Sequence, residues 1–126
     1  MHAALALLLA AAIQVTSVIV WHDAPPTMPK GTKMAVLEGN AQNPGIFTLR
    51  LKVPAGSKLP LHIHPNAERV TVLSGKVVVT IGGKSTTFTA GGFYVNPPNE
   101  PHSVAFPEES VIQLTCEGPW KLRYVQ

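Results

Sequence analysis

The chain has 126 residues, 45% of them hydrophobic and 13% charged, a balance that excludes a disordered segment and allows one core rather than two. Its net charge of +3 is spread over scattered Lys and Arg residues without a cluster, which argues against a nucleic-acid footprint. The single cysteine, Cys116, excludes an intrachain disulfide and reads as a buried, inert thiol in the strand-like run 111–116, with a metal-proximal or dimer-bridging thiol as the alternative.

In chain order, the first feature is an uncharged Ala/Leu run from Ala3 to Ile13, followed by a polar break at 14–17. An apolar core ahead of Val15-x-Ser17 predicts a secretory signal peptide over residues 1–17, and with it a periplasmic or secreted protein. Val18, Ile19, Val20 and Trp21 prolong the apolar stretch, so a membrane anchor over residues 3–21 is the alternative. A helix packed on the domain fits poorly, because the run is apolar on every side. Residues 18–33, which include Asp-Ala-Pro-Pro-Thr-Met-Pro-Lys, form an extended Pro-rich lead-in.

From 34 to 126 the chain reads as one all-β domain. Short β-branched runs at 34–38, 46–53, 58–64, 69–73, 76–81, 85–89, 93–95, 103–106, 111–116 and 121–125 are separated by Gly, Pro and Asn turns. In 46–53, Phe47, Leu49, Leu51 and Val53 alternate with Thr48, Arg50 and Lys52, the pattern of a half-buried strand. Gly82-Gly83 predicts a two-residue hairpin, since both positions need positive φ. Even spacing without helical periodicity implies two antiparallel sheets closed on each other, a jelly roll or small barrel. The strand count alone leaves an immunoglobulin-like sandwich open.

The chemistry-bearing residues decide between them. His62 and His64, at i and i+2, share one face of a strand. Pro65, Asn66 and Ala67 then break the extended run, so a tight turn returns Glu68 to the two histidines, and His102 follows downstream. Imidazole and carboxylate bind borderline divalent metals, and three His with one Glu leave open positions on a six-coordinate ion. A barrel turns all four inward to one point, whereas an open sandwich gives no reason for them to meet. A buried Glu68 without a counter-charge is costly, and a divalent ion neutralises it while keeping the imidazoles neutral. The alternative is a hydrogen-bonded cluster without metal. Mixed N/O ligation suits one Mn(II) or Fe(II) per chain, with Ni, Cu or Zn as further candidates.

These residues stand in Gly56-x5-His62-x-His64-x3-Glu68-x6-Gly75 and Gly91-x5-Pro97-x-Asn99-x2-His102. The two segments resemble the signature motifs of the cupin superfamily, the first without gap or substitution. In the second, Asn99 stands where the family usually has Gly, a position Asn fills because it tolerates positive φ. Phe106 stands where some cupins carry Asn. The resemblance implies a double-stranded β-helix barrel with a mononuclear metal site.

Alternation places Phe47, Leu49, Val70, Val72, Val104 and Phe106 on inward walls, with Gln113 as a polar candidate for a ligand or metal-bound water, or else an outward-facing amide. Tyr94 and Trp120 read as rim or packing aromatics, Arg69 as outward-facing, and Glu108-Glu109 as a solvated turn. No Ser/His/Asp set or phosphate loop stands out. A metal-dependent oxygenase acting on a small organic molecule is the leading expectation. A non-catalytic ligand- or metal-binding sensor is the alternative, and a metal-dependent isomerase or lyase a further one. Runs 34–38 and 121–125 carry apolar residues on both faces, so their exposed edges predict a homodimer, unless the Pro-rich lead-in folds back over one of them.

Overall fold

The structure, a computed structural model, describes residues 17–126, so the expected signal or anchor at the N-terminus lies outside the described residues except for its last few positions. No helix among the described residues is long and apolar enough to cross a membrane. The strands are β1 (His22–Asp23), β2 (Lys33–Glu38), β3 (Gly45–Val53), β4 (Ser57–Ile63), β5 (Glu68–Ser74), β6 (Val77–Ile81), β7 (Lys84–Phe88), β8 (Phe93–Asn96), β9 (His102–Phe106), β10 (Ser110–Gly118) and β11 (Arg123–Tyr124). They form a six-stranded sheet ordered β1-β2-β3-β10-β5-β8 and a five-stranded sheet ordered β11-β4-β9-β6-β7. Every pairing is antiparallel. The all-β jelly roll expected from the sequence is the fold.

Period-two alternation builds the interior. Phe47, Leu49, Leu51 and Val53 of β3 face Val70 and Val72 of β5, Val77 and Val79 of β6, Val104 and Phe106 of β9, and Ile112, Leu114 and Cys116 of β10. Each such side chain contributes roughly 1.5–3 kcal/mol by leaving water, so the fold rests on this core and not on the polar cluster. Turn chemistry follows the sequence closely. Gly82 (φ 57°) and Gly83 (φ 77°) close the β6–β7 hairpin, and Asn99 adopts the left-handed conformation at φ 59°.

The lead-in does fold back, though over a short span. His22 pairs with Met34 and Asp23 with Lys33, and Lys33 also forms an ion pair with Asp23, so β1 covers one end of the β2 edge. Val36, further along, stays exposed. The opposite sheet ends on β7, whose Lys84, Ser85, Thr86 and Thr87 are exposed polar residues of the kind that discourage edge pairing.

Candidate metal centre

Strand register turns the four polar residues inward. On β5 the buried positions are Glu68, Val70 and Val72, and on β9 they are His102, Val104 and Phe106. Glu68 and His102 thus take inward places that would otherwise hold a branched aliphatic. Strand β4 reaches the same result through an irregularity. Leu59 lies opposite Val104 and His62 opposite His102, so three steps on β4 match two on β9. The extra residue falls at Pro60-Leu61, a bulge that resets the strand so that both Leu59 and His62 are buried. Proline suits that place because it has no N–H to give to the ladder. His64 lies two residues beyond His62 on the same face.

Each of these three histidines is oriented by its Nδ1. His62 Nδ1 donates to the Pro60 carbonyl at 2.7 Å, His102 Nδ1 to the Glu100 carbonyl at 2.9 Å, and His64 Nδ1 to the Lys121 carbonyl at 2.7 Å. Carbonyl oxygens only accept, so each proton sits on Nδ1 and each Nε2 presents a lone pair to the interior. The donor atoms of the three residues lie within 4.8 Å of one another. His102 Nε2 is buried with no hydrogen-bond partner. His64 Nε2 faces Glu68 Oε1 at 3.1 Å, acceptor to acceptor, an arrangement that is favourable when a cation or proton stands between them.

Glu68 is held from behind. Asn96, opposite it on β8, donates through Nδ2 to Oε1 at 3.1 Å, and the Trp120 indole N–H donates to Oε2 at 2.9 Å. The Trp120 ring lies 10° from parallel to His64 with centroids 6.4 Å apart, and it tilts against Phe47 at 6.3 Å. The four side chains are buried to within 1–4% of residual exposure. Three tautomer-fixed imidazoles, an orphaned Nε2 and a clamped carboxylate fit a borderline divalent ion, with His62, His64 and His102 as the set one ion could reach together.

The family model described as "Cupin domain" matches residues 49–116, a span containing all four residues. The chain belongs to the cupin family. No curated protein sequence matches it. Among solved structures, the cupin resembles the polyketide cyclase RemF from Streptomyces resistomycificus at 14% identity and TM-score 0.73, covering 94% of this chain and 87% of that one. It resembles a candidate acetylacetone dioxygenase from Methylibium petroleiphilum at 22% identity and TM-score 0.69, covering 94% and 86%. An RmlC-like cupin from Shewanella frigidimarina superposes at 18% identity and TM-score 0.68, covering 86% and 91%. At these identities the likeness is one of fold.

The inner cavity of the cupin barrel is small, about 30 Å³, and bordered by the three histidines, Glu68 and mostly apolar side chains. Of the wall residues expected from the sequence, Val70, Val104 and Phe106 border it. Phe47, Leu49 and Val72 point inward as expected, but they are packed into the solid core and do not reach the cavity. Gln113 is a correction. It faces away from the barrel and accepts from Arg50 Nε at 2.9 Å across the β3–β10 pair, because Ile112 and Leu114 take the inward places on β10. Arg69 faces out, as alternation requires. Tyr94 and Trp120, read as rim or packing aromatics, border the cavity. Burial pushes the Tyr94 phenol well above its ordinary range, with Glu68 adding to the effect. Cys116 is buried opposite Glu68, and burial pushes its thiol up to about 11, which keeps it protonated and inert.

Burial also depresses the His62 imidazole to about 4, against the opposing pull of the Pro60 carbonyl, and it lowers His102 in the same direction. Unfolded histidines take up protons near 6.5, so between about pH 6.5 and 4 the unfolded chain binds protons that the metal-free native chain does not. Stability is therefore undiminished above about pH 6.5 and falls as pH drops towards 4, by up to about 1.4 kcal/mol per pH unit for His62, with His102 adding in the same direction. Urea midpoints of chelator-treated protein at pH 7.5, 6 and 5 should decline in that order. A midpoint independent of pH over this range would contradict the burial of neutral imidazoles.

Proposed function

We propose that this cupin holds one divalent ion, Mn(II) or Fe(II), on His62, His64, His102 and Glu68, and acts as a metal-dependent oxygenase on a small organic molecule. The observation that carries the proposal is the convergence of three Nε2 lone pairs, each fixed by a carbonyl behind its ring, on one buried point lined by apolar side chains. A bound ion would supply open coordination positions for the oxygens of a substrate and for dioxygen. The protein's own part is to hold the imidazoles neutral, to fix the Glu68 carboxylate through Asn96 and Trp120, and to keep water from the apolar walls. The proposal includes a signal peptide at residues 1–17 and with it a periplasmic or secreted protein, or a membrane anchor over residues 3–21 as the alternative. The homodimer expected from exposed edges belongs to it too, supported by Phe93 and Val95 standing exposed on the edge strand β8; a monomer mass in light scattering would remove it.

Dioxygen uptake by Fe(II)- or Mn(II)-loaded protein over a panel of diketones and aromatic hydroxy acids tests the activity. Uptake that requires both the ion and one class of substrate, and that disappears in His64→Ala, is the expected result. Product formation without uptake would replace the oxygenase by an isomerase or lyase. Ligand binding without turnover would leave a sensor or carrier.

A further inference from the structure

The inner cavity, about 30 Å³, shares part of its lining with a larger space. That space is an outer groove of about 460 Å³ lined by Pro25, Thr27, Met28, Trp120, Lys121, Leu122 and Arg123. Met28, Trp120 and Leu122 border both spaces, so these three side chains stand where the cavity at the histidine cluster and the groove adjoin. They are not held equally. Trp120 is bonded to Glu68 and stacked on His64, and Leu122 follows the Lys121 carbonyl that orients His64. Met28 comes instead from the lead-in, a strap of residues 24–32 tied down by a few turn bonds. These are Met28 N–H to the Pro25 carbonyl at 2.9 Å, Thr32 N–H and hydroxyl to the Pro29 carbonyl, and Ala24 N–H to the Thr32 carbonyl. One bond, from the Tyr124 hydroxyl to the Thr27 carbonyl, joins the strap to the barrel. Yet Met28 is only 7% exposed, the one buried apolar side chain on the strap.

A volume of about 30 Å³ takes one or two waters. An organic molecule of six or more heavy atoms needs several times that. Methionine is the unbranched, adaptable side chain that can swing out of such a wall with little strain. We propose that Met28 is the specificity-determining gate of the site. Small anions reach the histidines past it, whereas a larger organic anion enters only when Met28 swings out, its apolar body then lying between Trp120 and Leu122 and its far end near Lys121 and Arg123. This rests on the metal reading above and adds to it the class of ligand: an organic anion long enough to span both spaces.

The test uses Co(II)-loaded protein, whose visible bands report ligand exchange at the ion without any turnover. Azide and salicylate are titrated into wild type, Met28→Ala, Met28→Leu and Tyr124→Phe. Azide should bind all four alike. Salicylate should bind Met28→Ala at least about tenfold more tightly than wild type, Tyr124→Phe in the same direction by less, and Met28→Leu like wild type. Because Tyr124→Phe loosens the strap from outside the core, it keeps the test alive if Met28→Ala folds poorly. Equal salicylate affinity in wild type, Met28→Ala and Tyr124→Phe overturns the gate while leaving the metal site standing. Absence of Co(II) bands in wild type overturns the metal reading and the gate with it.

Discussion

His62→Ala should lower divalent-metal affinity by at least about a thousandfold while leaving the barrel folded. Changes in the groups that merely orient a ligand typically cost about 10–100-fold, and removal of an imidazole that points its own lone pair at the ion must cost more. Trp120→Phe supplies the internal scale. It keeps an aromatic ring beside His64 and Phe47 and removes the N–H that holds Glu68 Oε2 together with part of the indole, so it belongs in the 10–100-fold range. The fold should survive His62→Ala because the apolar core spans both sheets without the histidines. Competition against a chromophoric chelator gives the affinities, and far-ultraviolet circular dichroism checks the fold. Equal affinities for wild type and His62→Ala would show that the ion, if any, binds elsewhere.

The second large effect is on stability. Gly75→Ala should destabilise the protein by about 3–5 kcal/mol, combining left-handed backbone strain with a collision in a packed turn. Gly75 has φ 86°, and a methyl there would fall on Ser110 Oγ and the Glu109 carbonyl, well inside contact distance. Ser110 cannot retreat, since it is fully buried and its hydroxyl accepts from Lys76 N–H at 3.0 Å. Gly56→Ala is the control. Its φ of 81° carries the strain, but no atom lies within 4 Å of the added methyl, so about 1–2 kcal/mol is expected. Denaturant unfolding separates the two variants, and equal losses would mean that backbone conformation alone, not the Ser110 contact, sets the requirement for glycine.

Where local rules determine structure, the sequence was legible. Alternation on β5 and β9 is regular, so the inward faces of Glu68 and His102 followed from counting, as did the outward face of Arg69. The Gly82-Gly83 hairpin and the positive φ of Asn99 follow from the few residues that tolerate those conformations. Alternation gives the face of a residue but not what stands in front of it. Phe47 faces inward and packs behind Trp120, and Leu49 and Val72 are covered by their neighbours, so none of the three borders the cavity. Gln113, left open between a ligand contact and an outward-facing amide, takes the outward place, since Ile112 and Leu114 hold the inward side of β10.

The supporting groups around the ligands were harder to read. Asn96 carried a usable signal: it ends the run Phe93-Tyr-Val-Asn on the same face as Tyr94, and a buried amide there needs a partner. Trp120 carried none, because its contact with Glu68 spans 52 residues and depends on how the chain turns after β10. The bulge at Pro60-Leu61 was equally hidden, being a property of β4 against β9 rather than of either strand alone. Met28 stood in the Pro-rich lead-in, where composition predicts extended chain and says nothing of which side chain is buried.

The most direct test of the account is elemental analysis of the protein, purified without chelator and dialysed against Mn(II) or Fe(II) under reducing conditions. About one divalent ion per chain is predicted for wild type, the number one cluster of converging ligands can hold, and none for the double variant His64→Ala, Glu68→Ala. Wild type and double variant equally free of metal, both folded, would contradict it.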